Sequence, residues 1–225
     1  MKEQTSIKIA KYTEPNKECS ALLTIDLQQD FTLPGAPAEI PGTYTILSTV
    51  KKTVHFYRKE SLPIIHVVRL YLADGSNADL CRRHILEEGK RLVVPGTIGA
   101  ELVDELKASP DIRLNSSVLL SGSLQSIGDK EWIMYKPRWG AFYLTPLETH
   151  LRSLGVDTIV VLGCNFPNCP RATIYEASER DFKIVLVTDA VSGCYEQGLH
   201  ELKNIGVSLM TSSDFLRSFR AGPKL

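Results

Sequence analysis

The chain has 225 residues, of which 43% are hydrophobic and 23% charged, so we expect a soluble globular protein with one sizeable core. Its 26 basic and 26 acidic side chains cancel, which removes the long-range field that binders of nucleic acid or anionic membranes exploit. The expected partner is a small-molecule substrate, with no nucleic acid and no membrane.

The first twenty residues contain no continuous apolar stretch, and no later stretch approaches the roughly 20 apolar residues that span a bilayer. This pattern predicts a cytoplasmic protein. The five cysteines are an odd number, which in such a chain favours reduced thiols over a disulfide framework.

Short runs of β-branched residues alternate with helical patterns along the chain. Strands are predicted at ALLTID (21–26), LPIIHVVRL (62–70), EWIMYK (131–136), DTIVVLG (157–163), FKIVLVTDA (182–190) and VSLM (207–210). Helices are predicted over residues 43–60, 98–107, 145–154, 170–181 and 196–205. Residues 71–99 hold charged and turn-forming residues without periodicity, and we expect this inserted excursion to form a substrate lid.

This alternation predicts the α/β class: one domain over residues 1–225, built as a three-layer αβα sandwich with a mostly parallel, doubly wound (Rossmann-like) sheet. In such sheets, ligands bind beyond the carboxyl ends of the strands. Asp26, Lys136 and Cys169 follow three different predicted strands. An acid, an ammonium and a thiol are therefore expected at one edge of the sheet.

The segment GCNFPNCPRAT (163–173) contains two cysteines five residues apart. A redox pair usually has the spacing C-x-x-C, and no second ligand pair supports zinc, so these two interpretations are open but weak. Pro170 suits the first helical position, which makes Cys169 the N-cap. The helix dipole and a nearby ammonium would then favour a thiolate, so Cys169 is the candidate nucleophile, and Cys164 is expected to pack in the core.

Three motifs together resemble the isochorismatase-like cysteine hydrolases: ALLTIDLQQDF, KPRWGAF (136–142) and GCNFPNC (163–169), followed by a helix and VTDAVSG. The resemblance covers about residues 21–210. It implies a triad in which Cys169 attacks a carbonyl carbon, Asp26 takes the thiol proton and passes it to the leaving amine, and Lys136 stabilises both charges. It also implies an oxyanion hole from the N–H groups of Asn165 and Cys169, with a cis peptide bond between Cys164 and Asn165.

The sequence departs from the family in two informative places. Nicotinamidases carry a D-x-H metal motif, whereas the stretch RLYLADGSNADLCRRH has Asp74, Asp79 and His84 but no D-x-H. We therefore expect no metal, no cofactor, and a substrate other than nicotinamide. Phe166 replaces a frequent threonine and predicts an apolar pocket wall. The amino-acid sequences of the motifs resemble those of the branch that includes streptothricin hydrolase, which opens a cyclic amide.

The predicted function is hydrolysis of a C–N bond in a small amide, ureido or carbamoyl, or lactam substrate. The resemblance implies this choice, because family members that cleave a vinyl ether do not need the cysteine, which is present here as Cys169. The resemblance also implies a homo-oligomer, either a dimer or a tetramer. A non-catalytic binding module is the alternative. A nucleotide-binding oxidoreductase ranks last, because no phosphate-binding glycine motif is present. The residues expected to contact substrate are Gln28, Phe31, Arg69, Tyr71, Trp139 and Phe166.

Overall fold

The computed structural model describes residues 11–220, and a seven-stranded sheet forms its centre. The strands are β1 (Ser20–Ile25), β2 (Ile64–Val68), β3 (Gln125–Gly128), β4 (Glu131–Tyr135), β5 (Thr158–Gly163), β6 (Lys183–Val191) and β7 (Ser208–Met210). They lie in the order β3-β4-β2-β1-β5-β6-β7. All neighbouring pairs are parallel except β3 and β4, which are antiparallel.

The central strands are apolar along their whole length, as expected for parallel strands covered on both faces. Every residue of β1, β2 and β5 is buried. Leu22 lies in register with Ile64 of β2 and with Val160 of β5, so aliphatic side chains fill the middle of the sheet. β1 has β2 on one side and β5 on the other. The chain reverses its winding direction there, and the ends of β1 and β5 form the topological switch point.

Eight helices accompany the sheet in the described part of the chain. They are α1 (Gln29–Thr32), α2 (Thr43–Lys59), α3 (Leu80–Glu87), α4 (Ser116–Leu120), α5 (Leu147–Ser153), α6 (Cys169–Ser178), α7 (Glu196–Asn204) and α8 (Ser212–Arg220). α2 packs on β2, β5 and β6 and also contacts α8, whereas α6 packs on β5 and β6. The predicted α/β class with a mostly parallel, doubly wound sheet is confirmed.

The longest helix, α2, buries one face made of residues at helical spacing. Leu47, Val50, Val54 and Tyr57 are at most 4% exposed. Tyr57 stacks on Phe215 of α8 with ring centroids 6.2 Å apart. Burying each such side chain contributes about 1.5–3 kcal/mol, so the packing of α2 and α8 stabilises this side of the sheet.

The helix predicted over residues 98–107 is wrong. The segment forms two 3₁₀ turns, Ile98–Ala100 and Asp104–Leu106, separated by extended backbone. Leu102 forms a β-bridge with Gln28, and the Val103 N–H donates to the Leu27 carbonyl at 3.1 Å. These backbone bonds to the chain after β1 replace those of a continuous helix. The predictions also lacked α1, α3, α4, β3 and α8.

The excursion at residues 71–99 is more regular than its sequence indicated, because α3 lies within it. Asp79 occupies the N-cap position of α3, and its carbonyl accepts the Arg82 N–H at 2.9 Å. Whether the excursion opens and closes as a lid stays a prediction. Within residues 11–220, no helix combines the length and apolar character that crossing a membrane requires.

Candidate active site

The three predicted reactive residues lie at the carboxyl ends of three strands. Asp26 follows β1 and donates its backbone N–H to Val67 of β2 at 2.9 Å. Lys136 follows β4 and donates its N–H to Val68 at 3.0 Å. Cys169 begins α6, a short loop after β5. The sheet hydrogen bonds thus continue up to the two charged residues and fix their backbones.

The side chains of these residues meet at the Lys136 ammonium. Lys136 Nζ lies 2.9 Å from Asp26 Oδ2, 3.2 Å from Cys169 Sγ and 3.2 Å from the carbonyl oxygen of Arg138. An ammonium has three N–H donors, and here each has a partner. Lys136 is fully buried and Asp26 is 4% exposed, so their attraction is weakly screened by water.

A glycine at the end of β5 lets the loop that carries the thiol approach Asp26. Gly163 has φ +125°, and a Cβ there would lie 2.2 Å from the Ile25 carbonyl oxygen, so no side chain fits. Cys164 then donates its N–H to Ile25 at 3.0 Å and its thiol to the Asp26 carbonyl at 3.1 Å. Cys164 is buried, as the sequence predicted. Asp26 itself has φ +53°, in the left-handed region.

The resting form of Cys169 differs from the sequence-based expectation. Asn168 is the N-cap and Cys169 is the first helical residue, so the predicted capping position is displaced by one. Burial first, and then the negative charge of Asp26, raise the pKa of the Cys169 thiol to about 12, because the Lys136 ammonium only partly opposes them. The thiol is therefore protonated at neutral pH, and it needs a base to become a nucleophile.

One oxygen of Asp26 is available for that role. Oδ2 pairs with Lys136, whereas the buried Oδ1 has no hydrogen-bond partner among the described residues. A buried acceptor without a donor is costly, which favours any step that brings a proton to it.

The oxyanion hole implied by the family resemblance is only partly supported. No peptide bond within residues 11–220 is cis, so the expected cis bond between Cys164 and Asn165 is wrong. The backbone N–H groups of Asn165 and Cys169 donate to no atom of the described residues. Both residues line the pocket described next, and their role as oxyanion donors stays a prediction.

A narrow pocket opens over the thiol. The residues that line it are Asp26, Phe31, Ile40, Arg69, Tyr71, Asp79, Arg82, Trp139, Cys164, Asn165, Asn168 and Cys169. Four of the six residues predicted to contact substrate, Phe31, Arg69, Tyr71 and Trp139, are in its wall.

Gln28 and Phe166 are not in the pocket wall. Gln28 is fully buried and uses its whole amide on backbone groups: Nε2 donates to the carbonyls of Arg69 and Ala100, and Oε1 accepts the Arg69 N–H at 2.7 Å. Phe166 is also fully buried and packs edge-on against Tyr195, with centroids 5.4 Å apart. Both side chains hold the loops behind the pocket, so the apolar wall predicted at Phe166 is instead provided by Phe31, Ile40 and Trp139.

Ile40, Asn168 and Asp79 line the pocket but were not predicted to contact substrate. Arg82 also lines it, and its sequence context fitted a substrate contact and a solvated loop residue equally well. Asn168 directly precedes the candidate nucleophile, and this position in the sequence could have indicated a pocket residue. Asp79 and Arg82 lie in the excursion, whose sequence has no periodicity that would show which side chains face the pocket. Ile40 follows a loop without periodicity, and nothing in its sequence context indicated a pocket.

The acidic and histidine residues of the excursion do not converge on a metal site. Asp79 Oδ2 accepts hydrogen bonds from Arg69 at 2.5 Å and from Tyr71 at 3.0 Å. Asp74 accepts hydrogen bonds from the backbone N–H and the hydroxyl of Ser76, and His84 is exposed. Among residues 11–220, no three His, Cys, Asp or Glu side chains are grouped so that they could hold a metal ion.

The doubly wound sheet with a cysteine, a lysine and an aspartate at its switch point defines the class: an α/β protein with a candidate cysteine nucleophile. The family model of the isochorismatase domain matches residues 20–118 and 123–214, which is most of the chain. The chain belongs to the isochorismatase family.

Sequence relatives and a solved structure agree with this assignment. The chain is 31% identical to a protein of Arabidopsis thaliana named "Probable inactive nicotinamidase", over 85% of this chain and 92% of the relative. It is 25% identical to a ureidoacrylate amidohydrolase of Methylobacterium radiotolerans, over 80% and 69% of the two chains. The crystal structure of an isochorismatase family protein from Desulfovibrio vulgaris superimposes with a TM-score of 0.76 and 32% identity, covering 90% of this chain and 99% of that one.

Proposed function

We propose that this protein is a cysteine hydrolase that cleaves a C–N bond of a small amide, ureido or carbamoyl, or lactam substrate through a Cys169-Lys136-Asp26 triad. The observation that carries the proposal is the position of Lys136 Nζ, within hydrogen-bond distance of both the Asp26 carboxylate and the Cys169 sulfur. Relatives that include a named ureidoacrylate amidohydrolase support the class of bond.

In the first half of the reaction, the Cys169 thiol transfers its proton to Asp26 as Sγ adds to the substrate carbonyl carbon. The raised pKa of the thiol makes this coupling necessary, because a free thiolate is scarce at neutral pH. The tetrahedral intermediate then breaks its C–N bond. The leaving nitrogen takes the proton from Asp26, and a thioester or thiocarbamate remains on Cys169.

In the second half, water attacks the acyl carbon while Asp26 accepts one of its protons. Collapse of the second tetrahedral intermediate breaks the C–S bond, releases the acid, and returns the proton to sulfur. The Lys136 ammonium stabilises the carboxylate and the departing sulfur throughout, because it contacts both. The N–H groups of Asn165 and Cys169 are the proposed donors to the oxyanion.

The test is an ammonia-release screen over ureides, carbamoyl compounds and primary amides. Lactams are included, and their opening is detected by mass spectrometry because it releases no ammonia. Cys169→Ala is expected to abolish the activity found, while Cys81→Ala, which removes an exposed thiol on α3, is the matched control and should leave it unchanged. Iodoacetamide should inactivate the enzyme by labelling Cys169. Equal turnover by the wild type and Cys169→Ala would contradict the proposal.

The name of the Arabidopsis relative favours one other candidate, a binding module without turnover. In that case, Cys169→Ser and Lys136→Ala would retain full function in the cell. A hydrolase would lose function in both variants.

The narrower hypotheses concern substrate and assembly. Membership of the streptothricin hydrolase branch remains a prediction, and it is the reason for including cyclic amides in the screen. A cytoplasmic homo-oligomer, a dimer or a tetramer, is part of the proposal, and sedimentation measurements of the purified full-length chain test its oligomeric state.

A further inference from the structure

The charged side chains around the pocket form pairs, with one left over. Lys136 pairs with Asp26 at 2.9 Å, and Arg69 pairs with Asp79 at 2.5 Å. The two carboxylates are thereby matched by two cations. The remaining charged residue of the pocket wall is Arg82, whose side chain makes no hydrogen bond or ion pair with any residue in the described part of the chain.

Arg82 lies on the first turn of α3, and the N-cap of this helix is the buried Asp79. Its charge acts inside the pocket: burial raises the pKa of Tyr71 to about 12, and the guanidinium groups of Arg69 and then Arg82 oppose this rise. Tyr71 is 1% exposed and lines the same pocket. Arg82 lines this pocket together with Tyr71, and its own side chain is half-buried.

The charge of Arg69 is already matched inside the pocket wall. Its guanidinium donates to Asp79, to the Tyr71 hydroxyl at 3.2 Å and to the Lys136 carbonyl at 2.8 Å. It also lies over the Tyr71 ring, 4.8 Å from the centroid. Three N–H donors of Arg69 and its charge are thus engaged within the pocket wall, whereas the Arg82 guanidinium has no such partner in the described part of the chain.

We propose that Arg82 is a specificity-determining residue that binds a carboxylate on the substrate, so that the hydrolase prefers anionic amides or ureides over their neutral isosteres. This inference rests on the proposed function, because it assigns the substrate class of the same site. A single carboxylate neutralises the unpaired charge, and a guanidinium binds it through two parallel hydrogen bonds. The pocket is small, so the carboxylate and the scissile carbonyl belong to one short molecule.

Two alkylating reagents of nearly equal size test this without knowledge of the natural substrate. Iodoacetate carries a carboxylate and iodoacetamide does not, and both alkylate thiols. The measured quantity is the ratio of their rates at Cys169, followed by peptide mass spectrometry and divided by the same ratio for glutathione. We expect Arg82→Gln to lower this ratio by about fivefold or more, with the iodoacetamide rate unchanged.

Two variants serve as matched controls for the alkylation. Arg82→Lys keeps the charge and should retain most of the ratio, and Arg83→Gln removes the neighbouring cation on α3, which is outside the pocket wall, and should leave the ratio unchanged. An unchanged ratio in Arg82→Gln, or an equal fall in Arg83→Gln, would overturn the assignment.

Binding to the Cys169→Ala variant separates this inference from the proposed function, because no chemistry is required. Calorimetry compares N-carbamoylglycine with its methyl ester, which lacks the charge. The carboxylate is expected to bind about fivefold more tightly, and adding Arg82→Gln should remove the preference. Equal or tighter binding of the ester overturns the role of Arg82 even where ammonia release is observed. Anion preference without ammonia release from any amide contradicts the hydrolase and leaves the anion site standing.

Discussion

The two ends of β4 carry two buried charge networks with opposite character. At the amino end, Glu131 accepts two hydrogen bonds from Arg58, at 2.8 and 2.6 Å, and one from His66 at 2.7 Å. The other ring nitrogen of His66, Nδ1, is hydrogen-bonded to the Thr24 hydroxyl at 2.8 Å. At the carboxyl end, the Lys136 network leaves one oxygen of Asp26 without a partner.

This difference separates a network with all its hydrogen bonds formed from the network that we propose to be reactive. Both oxygens of Glu131 and both ring nitrogens of His66 are hydrogen-bonded, so near neutral pH this network has no vacant acceptor for a proton. Asp26 has such an acceptor beside a protonated thiol. A saturated buried network fixes structure, whereas an incomplete one gains free energy when a proton arrives. Four predictions test the comparison, from the largest expected effect to the smallest.

Asp26→Asn is expected to lower turnover by about 10²–10⁴-fold, because the amide oxygen cannot take the thiol proton. The same change should lower the pKa of Cys169 from its value of about 12, because the carboxylate charge that raises it is gone. Ammonia release and ultraviolet thiolate absorbance measure the two effects, under conditions where urea titration shows the variant folded. A more acidic thiol with retained turnover would contradict the role of Asp26 as base.

Glu131→Gln is expected to lower the free energy of unfolding by about 3–5 kcal/mol, since it leaves Arg58 and His66 without their shared charge partner. Turnover per folded molecule should change little, because Glu131 lies at the opposite end of the strand from the pocket. The matched control is Asp214→Asn, which breaks an exposed pair with Arg217 and should cost at most about 1 kcal/mol. Equal losses in the two urea titrations would show that the buried network is not stabilising.

Acid should remove part of the stability through Glu131. Burial raises the pKa of this carboxyl, but the hydrogen bonds from Arg58 and His66 outweigh burial and lower it to about 2, against an ordinary 4.5. The folded pKa is depressed, so the contribution is complete above pH 4.5 and is lost as the pH falls towards 2. It amounts to about 3 kcal/mol. Wild type should therefore lose more stability than Glu131→Gln between these two pH values in urea titrations, and parallel curves would contradict this account.

Thr24→Val should have the smallest effect, about 1 kcal/mol, because it removes one hydrogen bond to His66 Nδ1 and keeps the side-chain shape. Thermal unfolding measures it. Combined with Glu131→Gln, the cost should be less than the sum of the single costs, because both changes affect the same histidine. Strict additivity would indicate two independent contacts.

The regular strands and the positions of the three candidate catalytic residues were predictable because their signals are local. Asp26 and Lys136 directly follow predicted strands rich in apolar residues, and Cys169 precedes a proline that suits the first turn of a helix. The helix predicted over residues 98–107 failed because its backbone partners, Leu27 and Gln28, lie about seventy residues earlier in the chain. The helix α3 was missed because only Leu86 among its residues is buried, so its sequence shows no apolar face.

The roles of individual polar side chains followed the same division. Gln28 resembled a substrate contact in sequence, but its amide is used on the backbone of Arg69 and Ala100. The helix dipole and a nearby ammonium predicted a thiolate at Cys169, whereas burial and the charge of Asp26 give a thiol with a pKa of about 12. Both outcomes depend on contacts between residues far apart in the chain.

By itself, the sequence determined the doubly wound sheet and the three residues placed at its edge, because hydrophobic periodicity and strand ends are properties of neighbouring residues. The tertiary structure decided the protonation state of the thiol, the vacant oxygen of Asp26 and the unpaired charge of Arg82. Solvation and pairing depend on which groups surround an atom in space, and only the folded chain brings those groups together.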